Sequence, residues 1–327
     1  MNSFGRIFRI QIFGESHGPC AGVIIDGCPP GIALDKADFE PDMIRRQGGN
    51  QAGSTSRKEA DVPVFQSGVF DSFTTGAPLC ILFPNSNTRS ADYEQTRAIP
   101  RPGHADFVAH KKFLGFEDYR GGGHFSGRLT VGLVAAGVVA KKLVHPYSIR
   151  AHILEIGGIS DIQAGVEKAQ ALGDSVGGIV ECRVQGLPVG LGEPFWDSVE
   201  SLLAHAVMAI PAIRGIEFGT GFAAARMTGS SHNDALQSKE GITETNHAGG
   251  VVGGLTNGND LVFRIAVKPA SSTPKVQQTL NTHSGKMETL AIEGRHDLVI
   301  ALRVPPVLEA VTAIVLADLF LLNRPIL

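Results

Sequence analysis

Near its C-terminus the chain runs PPVLEAVTAIVLADLFLLNRP, a stretch apolar enough to be a membrane candidate, yet it carries Glu309 and Asp318 in its interior. It is also short for a span of about 20 residues. It therefore reads as a buried core helix starting at Pro306, since proline suits the first helical turn. A helix of that kind needs a core around it, and 327 residues are enough to bury a large one, as one large domain or two ordinary ones. Hydrophobic content of 43%, charged content of 19% and 40 glycines describe a compact soluble protein rich in bends, with no disordered arm.

A net charge of −3 argues against a nucleic-acid binder, because a reader of phosphate backbones carries a broad basic field. Cys20, Cys28, Cys80 and Cys182 lack the spacing of zinc or redox motifs and read as buried thiols of a reducing cytoplasm. Arg6 and Arg9 interrupt the apolar N-terminal stretch, so no signal peptide is expected.

Phe4 to Phe13 reads as a strand and Gly22 to Asp26 as a second, joined by GESHGPCA. Asp35 to Gln47 looks helical up to Gly48 and Gly49, with Arg45 and Arg46 in the last turn, where cations suit a helix C-terminus. QGGNQAGSTSRKEAD has no periodicity and reads as a loop that could close over a ligand. Val64 to Phe83 suggests two strands joined around Thr74 to Pro78. Ile149 to Ile156, Gly177 to Val184 and Asp260 to Lys268 read as further strands, with helices near Gly165 to Leu172 and Ser198 to Ile210. LVIALRV, ahead of the last helix, is strand-like. No consistent βα repeat emerges, so an α+β fold is expected, as one integrated unit over 1–327.

The segment RPGHADFVAHKKFLGFEDYRGGGHFSGR packs histidines, arginines and a triple glycine together. Gly121, Gly122 and Gly123 remove side chains where backbone N–H groups can approach an anion, and Arg120, His124 and Arg128 bracket them with donors. TVGLVAAGVVAKKLVH then reads as a helix of about four turns ended by Pro146, and a glycine loop feeding a helix N-terminus is an anion site, or else a tight turn. GESHG matches the nucleophile elbow only formally, since a strand rather than a helix follows. His17 and His104 stand in glycine-rich turns, where an imidazole is either structural or solvated, or a proton donor and acceptor near neutral pH. No histidine spacing suggests a metal. Asp297, in EGRHDL, shares a strand face with Arg295 if that segment is extended, which gives either a salt bridge or a functional pair.

Taken together, GESHG with DGCPPGI, RRQGG with SRKEADVP, RPGHADF, DYRGGGHFSGR, DSVGGIVE, GLPVGLGEP, NHAGG, KPASS and GRHD resemble the chorismate synthase family, in the family's order and along nearly the whole chain. The resemblance implies a cytoplasmic shikimate-pathway lyase that converts 5-enolpyruvylshikimate 3-phosphate into chorismate by 1,4-anti elimination of phosphate. It also implies reduced FMN as cofactor, an external flavin reductant with NADP as the associated nucleotide, a homotetramer, and a β/α/β sandwich of two antiparallel sheets around a helical layer. By resemblance, His17 acts on the leaving phosphate, His104 stabilises reduced flavin and Asp297 helps flavin N5 accept hydrogen. Arg45, Arg46 and Arg128 match the substrate-facing arginines. His124, Phe125, Ser126, Pro211, Ala212, Gly253, Lys268, Pro269, Ala270, Ser271, Ser272 and Arg295 match flavin positions.

The chain departs from the family in several places. Many relatives carry GGGR and an arginine nine residues on, where this chain has His124 and Leu133. Ala52 stands where a basic residue is usual, and Gly49 disrupts a Pro-Gly step. Compensating cations such as Arg57 or Lys58, or a weakened enzyme, are the two expectations. A flavin binder without elimination activity is the alternative function.

Overall fold

The computed structural model describes residues 2–49, 52–55, 57–88, 93–292 and 296–323. A five-stranded antiparallel sheet has the order β1-β2-β3-β5-β4, from Ser3–Phe4 (β1), Arg9–Gly14 (β2), Cys20–Asp26 (β3), Val64–Ser67 (β4) and Leu79–Pro84 (β5). A four-stranded antiparallel sheet has the order β8-β9-β7-β6, from Ser148–Ile156 (β6), Gly178–Gln185 (β7), Ile213–Phe218 (β8) and Leu261–Val267 (β9). In β9 the period of two is complete, with Leu261, Phe263, Ile265 and Val267 buried and the residues between them half-buried. Helices α1 (Glu40–Arg46), α2 (Asp106–Lys112), α3 (Thr130–Leu143), α4 (Ile162–Leu172), α5 (Val199–Met208) and α6 (Val304–Leu322) complete the α+β architecture.

The apolar C-terminal run is the core helix its composition requires. Every residue of α6 from Val304 to Leu319 is buried, and Pro305 and Pro306 occupy the first turn. Contrary to the expectation from length, the helical stretch Ile300–Leu322 is long and apolar enough to cross a membrane, but 89% of its most apolar part is buried inside the protein. Each fully buried Leu, Ile or Val contributes roughly 1.5–3 kcal/mol. Helix α3 packs on one side against β2, β3 and β5 and on the other against α6, which in turn meets α5, β6 and β7. Glycines allow the approach: a Cβ at Gly137 would lie 2.2 Å from the Cβ of Ala310, and one at Gly132 would lie 2.8 Å from the carbonyl oxygen of Gly22.

The two carboxylates inside α6 are satisfied. Glu309 accepts from both Nη atoms of Arg45 at 2.7 and 2.8 Å, from Lys141 at 3.1 Å and from the N–H of Ala151 at 2.9 Å. Asp318 accepts from the consecutive N–H groups of Arg6, Ile7 and Phe8 at 2.9, 2.7 and 2.9 Å.

That nest corrects the expectation of one strand over Phe4–Phe13. The chain turns between β1 and β2, with Gly5 at φ +97°, because the N–H groups of Arg6 to Phe8 go to Asp318 rather than to a neighbouring strand. A second correction concerns LVIALRV. Ile300–Arg303 forms a 3-10 turn leading into α6, and the N–H groups of Leu298 and Val299 both bond the carbonyl of Gly53. The connection expected around Thr74 to Pro78 is longer, with a two-residue hairpin pairing Val69–Phe70 with Phe73–Thr74.

Candidate active site

The link between β2 and β3 holds Ser16 and His17 over the triple glycine. The N–H of Ser16 donates to the carbonyl of Gly123 at 3.0 Å, and Nδ1 of His124 donates to the carbonyl of Gly14 at 2.8 Å. Gly121, Gly122 and Gly123 have φ of +61°, +81° and +53°, the left-handed region that side chains resist. A Cβ at Gly122 would lie 3.2 and 3.3 Å from Cε1 and Nε2 of His104, while Gly121 faces the ring of His17. Consecutive glycines thus each seat one histidine. His17 also meets Tyr93 edge-on, with ring centroids 5.2 Å apart.

His104 is fixed from its other edge. Its Nδ1 lies 2.6 Å from Oδ1 of Asp106, whose carboxylate receives Nε and Nη2 of Arg101, each at 2.7 Å. Burial alone would push the Asp106 carboxyl up; hydrogen bonds from Arg101 and His104 outweigh it and hold the group far below the usual carboxylate range.

Arginines supply the positive charge. On α1, Arg45 and Arg46 are about 100° apart around the helix and so part company. Arg45 goes to Glu309, and Arg46, only 3% exposed, donates from Nη2 to Asp61 at 2.5 Å and from Nη1 to Thr130 at 3.3 Å. Nε of Arg46 is buried with no hydrogen-bond partner among the described residues. Arg128 bonds the second oxygen of Asp61 and donates from Nε to Asn85 at 2.8 Å. One buried carboxylate therefore serves two buried guanidiniums. Burial first, and then Arg303 and Arg128, lower Arg46 to about 10 against the pull of Asp61. Asp61, which burial would raise, is held below its ordinary value by Arg46 and Arg128.

Asp297 accepts from the N–H of Thr55 at 2.8 Å and from Arg303 at 2.9 Å, tying the loop after α1 to the start of α6. Arg57 donates to the hydroxyl and carbonyl of Ser16, at 3.0 and 3.2 Å, and to Glu59 at 2.8 Å.

These groups surround a cavity of about 1000 Å³. Of the expected site residues, His104, Asp297, Arg46, Arg128, His124, Phe125, Ser126, Pro211, Ala212 and Lys268 to Ser272 line it. His17 stands behind Ser16 and Gly121, which do. Arg45 is turned to α6, Gly253 lies in the turn between Val251–Val252 and Leu255–Thr256, away from the cavity, and Arg295 falls outside the described residues. Arg303 and Asp61, which the sequence reading did not select, belong to the same wall. A signal for Arg303 existed in its place just ahead of Val-Pro-Pro at a helix start; Asp61 stands in the SRKEADVP motif, where nothing marks its carboxylate as the partner of two arginines. Of the two suggested compensating cations, Arg57 lines the cavity, while the aliphatic part of Lys58 covers Gly49. Leu133 adds an apolar surface to the cavity.

A chorismate synthase family model matches residues 8–321. The chain is 65% identical over 325 residues to chorismate synthase of Chitinophaga pinensis, covering 99% of this chain and 98% of that one. It is 45% identical over 359 residues to the chorismate synthase of Aeropyrum pernix, covering 100% and 94%. A crystal structure of chorismate synthase superposes with a TM-score of 0.76 at 25% identity, over 98% of this chain and 94% of that one.

Proposed function

The chain belongs to the chorismate synthase family, and from that membership we infer what the cavity does. It is the site of a carbon–oxygen lyase that eliminates phosphate from 5-enolpyruvylshikimate 3-phosphate in a 1,4-anti sense, leaving chorismate for aromatic amino acid biosynthesis. A homologue without elimination activity has no support.

The observation that carries the reading is the sharing of Asp61 by Arg46 and Arg128 at the cavity wall. One carboxylate leaves a surplus of buried positive charge, which a substrate with a phosphate and two carboxylates neutralises through planar, forked donors. Arg303 and Arg57 add further donors to the same cavity, each paired with a carboxylate of its own, Asp297 and Glu59. His17 is assigned the leaving phosphate, which it protonates or stabilises as the carbon–oxygen bond breaks. Asp297 is assigned the hydrogen that leaves the substrate, its carboxylate held by Thr55 and Arg303.

Reduced FMN is the proposed cofactor, and the residues fit it. The cavity is at the upper end of ordinary ligand sites, roomy enough for two ligands, and combines an apolar wall of Leu133, Ile210, Val307 and Ile314 with polar Ser126, Lys268 and Ser271. His124, Phe125, Ser126, Pro211, Ala212 and Lys268 to Ser272 would hold it; Gly253 and Arg295 join that set by resemblance alone. When bound, the reduced flavin supplies a transient electron to a reaction with no net redox change. His104 is assigned to the flavin side of the cavity. The packing of α3 and α6 between the two sheets supports the β/α/β sandwich, in one integrated unit. A homotetramer, a cytoplasmic location and an external flavin reductant complete the proposal.

The test is anaerobic phosphate release from 5-enolpyruvylshikimate 3-phosphate with and without dithionite-reduced FMN, following chorismate absorbance in parallel. Equal amounts of phosphate and chorismate, dependent on reduced FMN, are expected. Flavin binding without turnover would overturn the lyase assignment.

A further inference from the structure

We propose that Asp106 is the positioning residue of His104, fixing the proton on Nδ1 so that Nε2 is the ring nitrogen presented at the Gly122 side. This deepens the reading above, because it takes His104 to work in the chemistry of the large cavity.

Three observations carry it. Nδ1 of His104 has two neighbours with conflicting demands: Oδ1 of Asp106 at 2.6 Å, which can only accept, and Nη2 of Arg101 at 3.0 Å, which can only donate. The carboxylate prevails, being nearer and ionised, and Nη2 of Arg101 already has its own acceptor at Oδ1 of Asp106, 2.7 Å away. Nδ1 is therefore the protonated nitrogen, and Nε2 is left to exchange protons.

The carboxylate is itself immobilised. It takes Nε and Nη2 of Arg101 as a fork and the N–H of Arg101 at 3.1 Å, and the Asp106 and Arg101 side chains are 10% and 4% exposed. Arg101 is tied to the segment after β9 by Nη1 on the hydroxyl of Ser272 at 3.1 Å. The imidazole orientation is thus set by groups that cannot turn away.

Finally, Asp106 does not line the large cavity. His104 and Arg101 do, whereas Asp106 lines a separate cavity of about 120 Å³, to which His104 and Gly122 also contribute. A residue in this place acts through the imidazole, as an outer carboxylate orients a histidine in other enzymes.

The experiment is a double-mutant cycle of Asp106→Asn and His104→Ala, with turnover of 5-enolpyruvylshikimate 3-phosphate measured under reduced FMN and ring nitrogen shifts read by NMR on ¹⁵N-histidine protein without cofactor. Asp106→Asn is expected to lower kcat by about ten- to a hundred-fold, with KM within about twofold, and to change the His104 nitrogen shifts away from the Nδ1–H form. The double variant should be no slower than His104→Ala alone. Multiplying losses, or an unchanged Nδ1–H signature in Asp106→Asn, would overturn the proposal. Full turnover in His104→Ala would sink the role of His104 in the chemistry, while the NMR arm still decides whether Asp106 sets the tautomer. If Asp106→Asn does not fold, Asp106→Glu keeps the charge for Arg101 while displacing it from Nδ1, and the same cycle and spectra apply.

Discussion

Gly121 lies so close to His17 that a Cβ there would stand 2.6 Å from Cδ2 and 2.7 Å from Nε2 of the ring. Gly121→Ala would therefore displace His17, and at φ +61° it also costs about 1–2 kcal/mol of backbone strain. Turnover is expected to fall by about 10²-fold, the scale of an ångström's misplacement, while the circular dichroism spectrum stays native. Undiminished kcat would remove His17 from its assigned place.

Arg45 and Arg46 should separate stability from binding. Arg45→Ala removes a two-pronged bond to Glu309, costs about 2 kcal/mol or more in urea unfolding, and leaves KM within about twofold. Arg46→Ala should raise KM at least about tenfold. Equal KM effects in both would show that Arg45 also reaches the substrate.

Acid sensitivity follows from Asp61. Its folded-state value is depressed by Arg46 and Arg128, so the stability it contributes is fully present above the unfolded value near 3.9 and disappears as pH falls through the lower, folded one. Asp106 adds to the same window. Urea midpoints should hold steady, as far as these two groups are concerned, from neutrality to about pH 5 and drop below about pH 4. Asp61→Asn should flatten that drop and cost about 3–5 kcal/mol at pH 7, since two buried cations lose their shared partner.

Gly137→Ala tests the α3–α6 contact by its sign. In an exposed helix interior the change gains up to about 1 kcal/mol from propensity. Here the new methyl meets Ala310 at 2.2 Å, and a loss of about 1–3 kcal/mol is expected. A gain would mean that the two helices part without cost.

The legible parts of this fold are those set by local pattern. The core helix, the alternation of β9, the small-residue helix after the glycine loop and the two histidines in glycine turns all stood in the sequence because period, size and turn chemistry are short-range. The break between β1 and β2 did not, because Asp318, far along the chain, takes the N–H groups that a strand would have used. Ile300–Arg303 looked extended because an apolar run has no period of its own. The role of Asp61 cannot be read from SRKEADVP, because it comes from Arg46 and Arg128, brought to it by separate elements.

The hold of Asp318 on Arg6, Ile7 and Phe8 also has a temporal side. Arg6 waits for a carboxylate 312 residues further along the chain, so the turn ahead of β2 has no acceptor until α6 has been made. Completion of this end of the sheet therefore depends on α6, and a chain truncated before α6 would lack both the core helix and the anchor of the turn ahead of β2.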